Sequence, residues 1–300
     1  MDLILWWQTL PSKMNPILLS IGSFDIYWYS TMYLVAFGVV YLLCRKKINN
    51  NEYTKLTLPE FEDLLSGCFI ALIIGARLGY VFFYDFDRYM NSPLEIFLPF
   101  DINNGWEFTG IAGMSYHGGV IGVLIAIWMY ARKKDLHLYT VADFLTPAIP
   151  LGYFFGRIGN FINEELYGRV TQSSIGMRFP EARFDDEKPW FDVDGNEVYS
   201  SIVDYQLRHP SQLYEAFFEG IVLYFLIKLL KTRFTFLGFN SGLYVFGYAF
   251  FRFFIEYVRE PDNHLGVILF NLSMGQLLCI VMMIGGIVIW FTGYKTATEN

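Results

Sequence analysis

Charged side chains are scarce in this 300-residue sequence: Asp, Glu, Lys and Arg make up 17% of it, against about 25% in soluble domains. Apolar types make up 54% and aromatic residues 19%. This composition excludes an ordinary water-soluble domain. Recurrent apolar runs of about 17 to 23 residues match the hydrocarbon thickness of a bilayer instead. The sequence therefore predicts a single integral-membrane domain over residues 1–300.

Cysteine is also scarce, and the three present, Cys44, Cys68 and Cys279, lie in or beside apolar runs without a CxxC pair. No histidine stands at a spacing that would complete a metal site, so we expect inert thiols, no disulfide, no metal and no other cofactor. The N-terminus lacks the pattern of a removable signal peptide, and we expect the first apolar run to be retained. The net charge of −7 indicates no nucleic-acid partner.

Seven segments are long and apolar enough to cross a bilayer as helices. They run over residues 24–43, 64–84, 110–131, 140–158, 214–231, 241–258 and 270–292. Lys and Arg cluster at 45–47 and 132–134. Because successive spans cross the membrane in opposite directions, these two connections lie on the same side. Connections rich in Lys and Arg stay in the cytoplasm. The sequence thus predicts an all-α membrane fold of seven transmembrane helices, with the N-terminus outside and the C-terminus inside.

One connection is long, polar and acidic, and it runs over residues 159–213 between the fourth and fifth spans. We expect it to form a small extracytoplasmic head. Pro180, Pro189, Pro210 and the string DVDGN at 192–196 predict turns or short strands in this head rather than one long helix.

Ionisable and polar groups recur inside the predicted spans, where a charge costs at least about 2.5 to 3.5 kcal/mol on insertion scales. Those that fall toward the outer ends are Tyr29, Arg77, His117, Arg157, Asn160, Glu215, Glu219, Arg252 and Glu256. Their shared depth predicts one polar cavity that opens outward, with His117 about two turns inside the third span. Asp143 is the exception to this pattern.

Several of these groups have a structural interpretation beside the functional one. Tyr248, Arg252 and Glu256 recur at steps of four, so Arg252 and Glu256 can pair on one helix face, either to fasten helices or to bind substrate. His117 in SYHGGVIG can serve an interhelical hydrogen bond or face a lipid headgroup that approaches the glycines. Arg77 in GARLG needs an anion or a carbonyl as its partner.

The most specific string is GRIGNFINEELYG, residues 156–168, where the fourth span ends. A helix stop would need only Gly or Asn, whereas this string also carries Arg157, Asn160, Asn163 and Glu165. Arg157 and Arg252 together can grip a phosphate, because the guanidinium fork matches phosphate oxygens and stays charged. That chemistry points to a phospholipid headgroup.

The same string resembles, without a departure, the G-R-x-G-N-F-x-N-x-E-x-x-G signature of the bacterial prolipoprotein diacylglyceryl transferases. The resemblance extends to DIYWYSTMYLVAF, GARLGYVFFY, YHGGVIG, HPSQLYEAFFEG and FRFFIEYVREPD. It implies a multi-pass enzyme of the bacterial cytoplasmic (inner) membrane whose active site faces the outer leaflet. Such an enzyme moves the diacylglyceryl group of phosphatidylglycerol onto the lipobox cysteine of a prolipoprotein signal peptide. The products are a thioether and glycerol phosphate, in the first step of lipoprotein maturation.

The resemblance implies most of the candidate site residues, position by position along the motifs. Arg77 and Asn163 are added because polar groups at these places need a partner or a task. The candidate catalytic residues are His117, Arg157, Arg252 and Glu256. The candidate substrate-binding residues are Tyr29, Arg77, Asn160, Asn163, Glu165, Gly168 and Tyr248. We expect His117 to be the general base and the arginines to hold the phosphate, so that no metal is needed. The partners would be phosphatidylglycerol, the prolipoprotein and membrane lipids.

The main alternative is an outward-facing carrier or receptor for an anionic lipid or solute, which would use the same arginines without chemistry. Transporters usually contain an internal repeat, and none is evident in this sequence. A purely structural scaffold would leave so many costly polar groups at one depth unexplained.

Overall fold

The structure, a computed structural model, describes residues 2–22, 24–96, 98, 100–101, 107–108, 113–184, 205–260, 267–269 and 272–299. These residues are mostly helical and form two compact units. The first unit comprises Met1–Cys44 and Asp143–Asn300, and the second comprises Arg45–Ala142.

Short β-hairpins alternate with long helices along the described chain. The helices are α1 (Leu3–Gln8), α2 (Trp28–Asn49), α3 (Leu58–Phe83), α4 (Phe86–Asn91), α5 (Tyr116–Lys133), α6 (Leu138–Leu145), α7 (Ile149–Ile162), α8 (Ser211–Glu215), α9 (Leu223–Leu230), α10 (Phe239–Ile255) and α11 (Met274–Glu299). A π-helical turn, Ala216–Val222, joins α8 to α9. The antiparallel hairpins pair β1 (Ile17–Ile21) with β2 (Phe24–Tyr27), β3 (Phe100–Asp101) with β4 (Glu107–Phe108), and β5 (Val267–Leu269) with β6 (Leu272–Ser273).

Three of the described helices are long and apolar enough to cross a membrane: Trp28–Asn49, Leu58–Phe83 and the Met274–Thr296 part of α11. The prediction of a helical membrane protein is therefore confirmed. Each of the seven predicted segments coincides for most of its described length with one helix or with consecutive helices. The count of seven spans and their orientation remain predictions.

The predicted spans differ from the helices at three places. The helix of the first predicted span, α2, begins only at Trp28, because Phe24–Tyr27 pairs with Ile17–Ile21 as a strand. The fourth segment is broken between α6 and α7, and α7 restarts with Pro150 in its first turn, where the missing N–H of proline costs nothing. The fifth segment contains the π turn, which no apolar periodicity could indicate.

The polar stretch after α7 packs on a small apolar core of its own. Phe161, Met177, Phe179 and Ala182 are buried together, and Trp7 packs against them from the N-terminal segment. The described part of the predicted head thus has turns and isolated β-bridges, such as Gly168 with Arg259, rather than a long helix. DVDGN and Pro189 lie outside the described residues.

In the second unit, α3 and α5 meet along glycines. A Cβ added at Gly118 would overlap the carbonyl of Gly75 and lie 2.8 Å from the Cα of Gly79. A Cβ at Gly122 would overlap the carbonyl of Ala71. The small-residue pattern of GARLG thus does signal close packing of two helix backbones, as its spacing predicts.

Asp143, the residue that did not fit the outward cavity, caps a helix that lies far away in sequence. Its Oδ2 accepts the Gly238 amide at 2.7 Å, and its Oδ1 accepts the Ser241 amide at 2.8 Å and the Ser241 hydroxyl at 2.5 Å. These amides belong to the first turn of α10, whose own residues offer no side-chain cap. The carboxylate therefore accepts hydrogen bonds from amides that would otherwise lack an acceptor. Its negative charge is also stabilised by the positive N-terminal end of the helix dipole.

Asp143→Ala should lower the free energy of unfolding by about 1 to 3 kcal/mol, because it leaves buried amide donors without acceptors. Thermal unfolding of the purified protein in detergent measures this loss. Asp63→Ala, which removes an exposed carboxylate on α3, is the control and should leave the midpoint nearly unchanged. Equal midpoints for the two variants would mean that Asp143 is not a stabilising cap.

Candidate functional site

The carboxylate of Glu215, at the end of α8, is wholly buried and is the centre of a cluster of arginines in the first unit. Its Oε2 lies 2.7 Å from Arg157 Nε and 2.9 Å from Arg252 Nη1. Its Oε1 lies 3.7 Å from Arg259 Nη1. Three guanidinium groups thus converge on one carboxylate, so the two arginines predicted to hold a phosphate do lie together.

Small residues let these helices come close enough for the cluster to form. A Cβ at Gly220, in the π turn, would lie 2.8 Å from the Cβ of Phe154 on α7. A Cβ at Gly247 on α10 would lie 2.5 Å from Leu223. Side chains at these glycines would separate the helices that carry Arg157, Glu215 and Arg252.

Tyr153 joins the arginine on its own helix to the buried carboxylate. Its hydroxyl accepts a hydrogen bond from Arg157 Nε at 2.7 Å and donates one to Glu215 Oε2 at 3.2 Å. The Arg157 guanidinium carbon lies 4.8 Å from the centre of the Tyr153 ring, and the Tyr248 ring meets that ring edge-on at 5.6 Å. Tyr153 was not among the predicted site residues, although its position four residues before Arg157 puts both on one helix face.

The signature string forms a relay of hydrogen bonds at the end of α7. Arg157 Nη1 donates to Asn160 Oδ1 at 3.2 Å, and Asn160 Nδ2 donates to Glu165 Oε1 at 2.7 Å. Gln212 Nε2 holds the Glu165 carbonyl at 2.7 Å. Three of the predicted residues therefore form one chain of contacts that fixes the plane of the Arg157 guanidinium.

The pair predicted from i,i+4 spacing is present on α10. Arg252 Nε lies 3.4 Å from Glu256 Oε2, and the Ser273 hydroxyl donates to Glu256 Oε1 at 3.2 Å. Both side chains are largely buried, with 14% and 11% of their surface exposed. Arg252 Nη1 and Glu256 Oε2 are buried without a hydrogen bond to any described residue. Each of these atoms nevertheless has an ion-pair partner, because Arg252 Nη1 lies 2.9 Å from Glu215 Oε2 and Glu256 Oε2 lies 3.4 Å from Arg252 Nε.

The remaining predicted residues of this unit lie beside α7 or in the segment that follows it. Gly168 donates its amide to the His209 carbonyl at 2.8 Å, and a Cβ there would overlap the Val258 carbonyl. Asn163 ends α7 as its C-cap. Tyr29 on α2 packs beside Gly159, where a Cβ would lie 3.5 Å from the Tyr29 Cα. Substrate contact by these three residues remains a prediction, and for Gly168 close backbone packing alone requires glycine.

His117 and Arg77 belong to the second unit. Arg77 is buried and donates to the carbonyls of Glu95 at 2.6 Å, Ile96 at 2.8 Å and Gly113 at 3.3 Å. Of the two partners that the sequence left open for it, the structure supplies carbonyls, so Arg77 positions the chain around these residues. Its binding of substrate is untested.

His117 was predicted about two turns inside the third span, which began at residue 110, but helix α5 begins only at Tyr116 and His117 lies in its first turn. The coil before it ends at Ser115, whose side chain accepts the Gly118 amide and caps the helix. The imidazole is exposed and meets the Tyr116 ring edge-on at 5.8 Å. An exposed imidazole on the first turn is accessible to a substrate, as the predicted role of His117 as a general base requires.

An apolar cavity of about 470 Å³ lies in the first unit, which also contains the arginine cluster. It is lined by Ile175, His209, Tyr214, Phe218, Phe251, Phe254, Ile255 and Val258. Tyr214 and Phe251 directly precede Glu215 and Arg252 in sequence. Burial lowers the pKa of His209, whose Nδ1 lies 3.2 Å from the Tyr214 hydroxyl, and so favours the uncharged form of this imidazole in the wall. The cavity is suited to a hydrocarbon chain.

Comparisons with known proteins agree with these motifs over nearly the whole chain. The sequence profile described as Prolipoprotein diacylglyceryl transferase matches residues 16–292. A phosphatidylglycerol–prolipoprotein diacylglyceryl transferase of Chlorobaculum tepidum is 46% identical, with 100% of this chain and 96% of that protein aligned. Proteins of the same name from Bordetella bronchiseptica (42% identical; 91% of this chain and 93% of that protein) and Treponema denticola (39%; 92% and 91%) are also similar.

Proposed function

This chain belongs to the prolipoprotein diacylglyceryl transferase family, and we propose that it transfers the diacylglyceryl group of phosphatidylglycerol to the lipobox cysteine of bacterial prolipoproteins. The cysteine sulfur forms a bond to the glycerol carbon, and the bond from that carbon to the phosphate oxygen breaks. The thiol proton passes to a base, and glycerol phosphate leaves. The observation that carries this proposal is the convergence of Arg157 and Arg252 on one buried carboxylate, in the unit that also contains an apolar cavity.

The two arginines would hold the lipid phosphate. Displacement converts a phosphodiester monoanion into a monoester that carries up to one further negative charge. Fixed guanidinium groups stabilise that developing charge most in the transition state, which lowers the barrier. Glu215 fixes Arg157 and Arg252 in advance, and Tyr153 links Arg157 to the same carboxylate, so both guanidinium groups are already close together before a phosphate binds.

The other predicted residues would support this phosphate site. Asn160 and Glu165 hold the plane of Arg157, and Glu256 holds Arg252. His117 would take the proton of the incoming thiol, because the thiolate is the nucleophile and an unperturbed thiol has a pKa near 8.5. The apolar cavity would receive an acyl chain of the lipid whose phosphate lies at Arg252.

The pairing of Arg252 with both Glu215 and Glu256 gives a sharp prediction for a charge swap. In the double variant Arg252→Glu, Glu256→Arg, a carboxylate would face the buried Glu215, and like charges at that depth repel strongly. Either single neutralisation should impair transfer, and the swap should not restore it. Transfer rates in membranes with matched protein amounts measure this. Full recovery in the swapped variant would reduce the pair to a helix fastener.

We also propose seven spans, with the N-terminus outside, in the bacterial cytoplasmic membrane and with the site facing the outer leaflet. The basic clusters at 45–47 and 132–134 support this orientation. In whole cells, an impermeant thiol reagent should label Asp194→Cys but label Lys133→Cys only after lysis. The native cysteines, all buried, give a low background. Labelling of both variants in intact cells would overturn the orientation.

A carrier or receptor would bind the same lipid without breaking a bond. Purified protein in phosphatidylglycerol vesicles should release glycerol phosphate only when a lipobox peptide is added, and the peptide should gain one diacylglyceryl group per molecule released. A peptide whose lipobox cysteine is replaced by serine is the control. Tight lipid binding without release in either case would favour the carrier.

A further inference from the structure

A second buried glutamate lies next to the arginine cluster and has no part in the roles assigned so far. Glu219 follows Glu215 by four residues, inside the π turn, and both side chains are wholly buried. Such π turns often mark functional sites in helices. The Tyr153 hydroxyl lies near enough to interact with the Glu219 carboxyl, but its hydrogen bond is directed at Glu215 Oε2. Both Glu219 oxygens and Glu215 Oε1 therefore lack a well-formed hydrogen bond to a described residue.

The charged and titratable groups around Glu219 do not neutralise it. Arg157 and Tyr153 face it from α7, Arg252 from α10 and the Cys279 thiol from α11, and Glu215 lies one turn before it. Both arginines direct their nitrogens at Glu215 Oε2, and the Tyr153 hydroxyl donates to the same atom. Within the described chain, no cationic nitrogen comes within ion-pair distance of Glu219.

Two ionised carboxylates cannot satisfy each other, because each carries acceptors only. A single proton changes this, since a protonated carboxyl has an O–H donor that the neighbouring carboxylate can accept. Adjacent buried carboxyls share a proton for this reason, and the proton stays on the member that lacks cations. Here that member is Glu219, because Glu215 already has three arginines.

We propose that Glu219 is a neutral carboxylic acid that donates a hydrogen bond to Glu215 Oε1 and so acts as a positioning residue for the phosphate site. It fixes the carboxylate on which Arg157 and Arg252 converge, and it adds no negative charge that would weaken their hold on an anion. This role rests on the proposed function of the two arginines as phosphate ligands.

Two variants separate a neutral donor from an ionised group. Glu219→Gln keeps a neutral side chain with an N–H donor, so the rate of diacylglyceryl transfer should stay within about threefold of wild type. Glu219→Leu fills a similar space without a donor and leaves Glu215 Oε1 unsatisfied, so kcat should fall by about tenfold or more. Loss of activity in a folded Glu219→Gln protein, equal to the loss in Glu219→Leu, would overturn the proposal.

The protonation state itself can be read without substrate. Infrared spectra of the protein in lipid at neutral pH should contain the carbonyl stretch of a protonated carboxyl that disappears in Glu219→Gln. Glu62→Gln, which alters an exposed glutamate on α3, should leave this band in place. If the band is absent from wild type, or is unchanged in Glu219→Gln, Glu219 is ionised and the proposal fails. That failure is distinct from a failure of the transferase function, which the spectrum does not involve.

Discussion

Arg157→Lys should lower the rate of diacylglyceryl transfer by about a hundredfold or more, a loss typical of removing a group that stabilises transition-state charge. Arg157 uses Nε toward Tyr153 and Glu215 and Nη1 toward Asn160, and its plane lies over the Tyr153 ring. Lysine keeps the charge but has a single nitrogen, so it cannot make these contacts and still offer a fork to phosphate.

The rate is measured as glycerol phosphate released per protein in vesicles, with expression and thermal unfolding checked separately. Arg132→Lys is the matched control, because Arg132 lies at the opposite, basic end of the predicted third span and its guanidinium lies over the Trp128 ring, away from the Glu215 cluster in sequence. It should retain the wild-type rate. Near wild-type turnover in Arg157→Lys would reduce Arg157 to a structural cation.

His117→Gln should slow transfer by about 10²- to 10⁴-fold at neutral pH, the usual contribution of a general base. Glutamine keeps hydrogen-bonding capacity but removes basicity. Lipid binding should stay normal, and raising the pH should partly restore the rate, because the thiol then ionises without help.

The pH–rate profile of His117→Gln relative to wild type is the measurement that decides this assignment. His137→Gln, in a predicted cytoplasmic connection, is the control and should reproduce the wild-type profile. A profile that is merely scaled down, without relative recovery at high pH, would make His117 a positioning residue and leave thiolate formation to the positive field of the arginines.

The helices and the local contacts of Arg157 and Arg252 could be predicted from the sequence. Apolar run length placed the helical segments, since hydrocarbon thickness fixes how many residues must be apolar. The i,i+4 spacing of Arg252 and Glu256 predicted their pairing, and the signature string contains the residues of the hydrogen-bonded chain from Arg157 through Asn160 to Glu165. Each of these features depends on residues that are close in sequence.

The parts that the sequence did not reveal depend on contacts between distant segments. Glu215 lies 58 residues from Arg157 and 37 from Arg252, so no periodicity identifies it as their common partner. Asp143 caps a helix that begins 96 residues later, at Phe239. The sequence offers no reason for its carboxylate, because the groups that donate to it are backbone amides and a hydroxyl rather than cationic side chains. The break before α7 and the π turn follow from packing that hydropathy does not record.

The most direct test is a structure of the protein with bound phosphatidylglycerol. The account predicts that the lipid phosphate lies within hydrogen-bond distance of both Arg157 and Arg252, with an acyl chain in the cavity lined by Phe218, Phe251 and Phe254. A lipid whose phosphate contacts neither arginine, with both still directed only at Glu215, would contradict it.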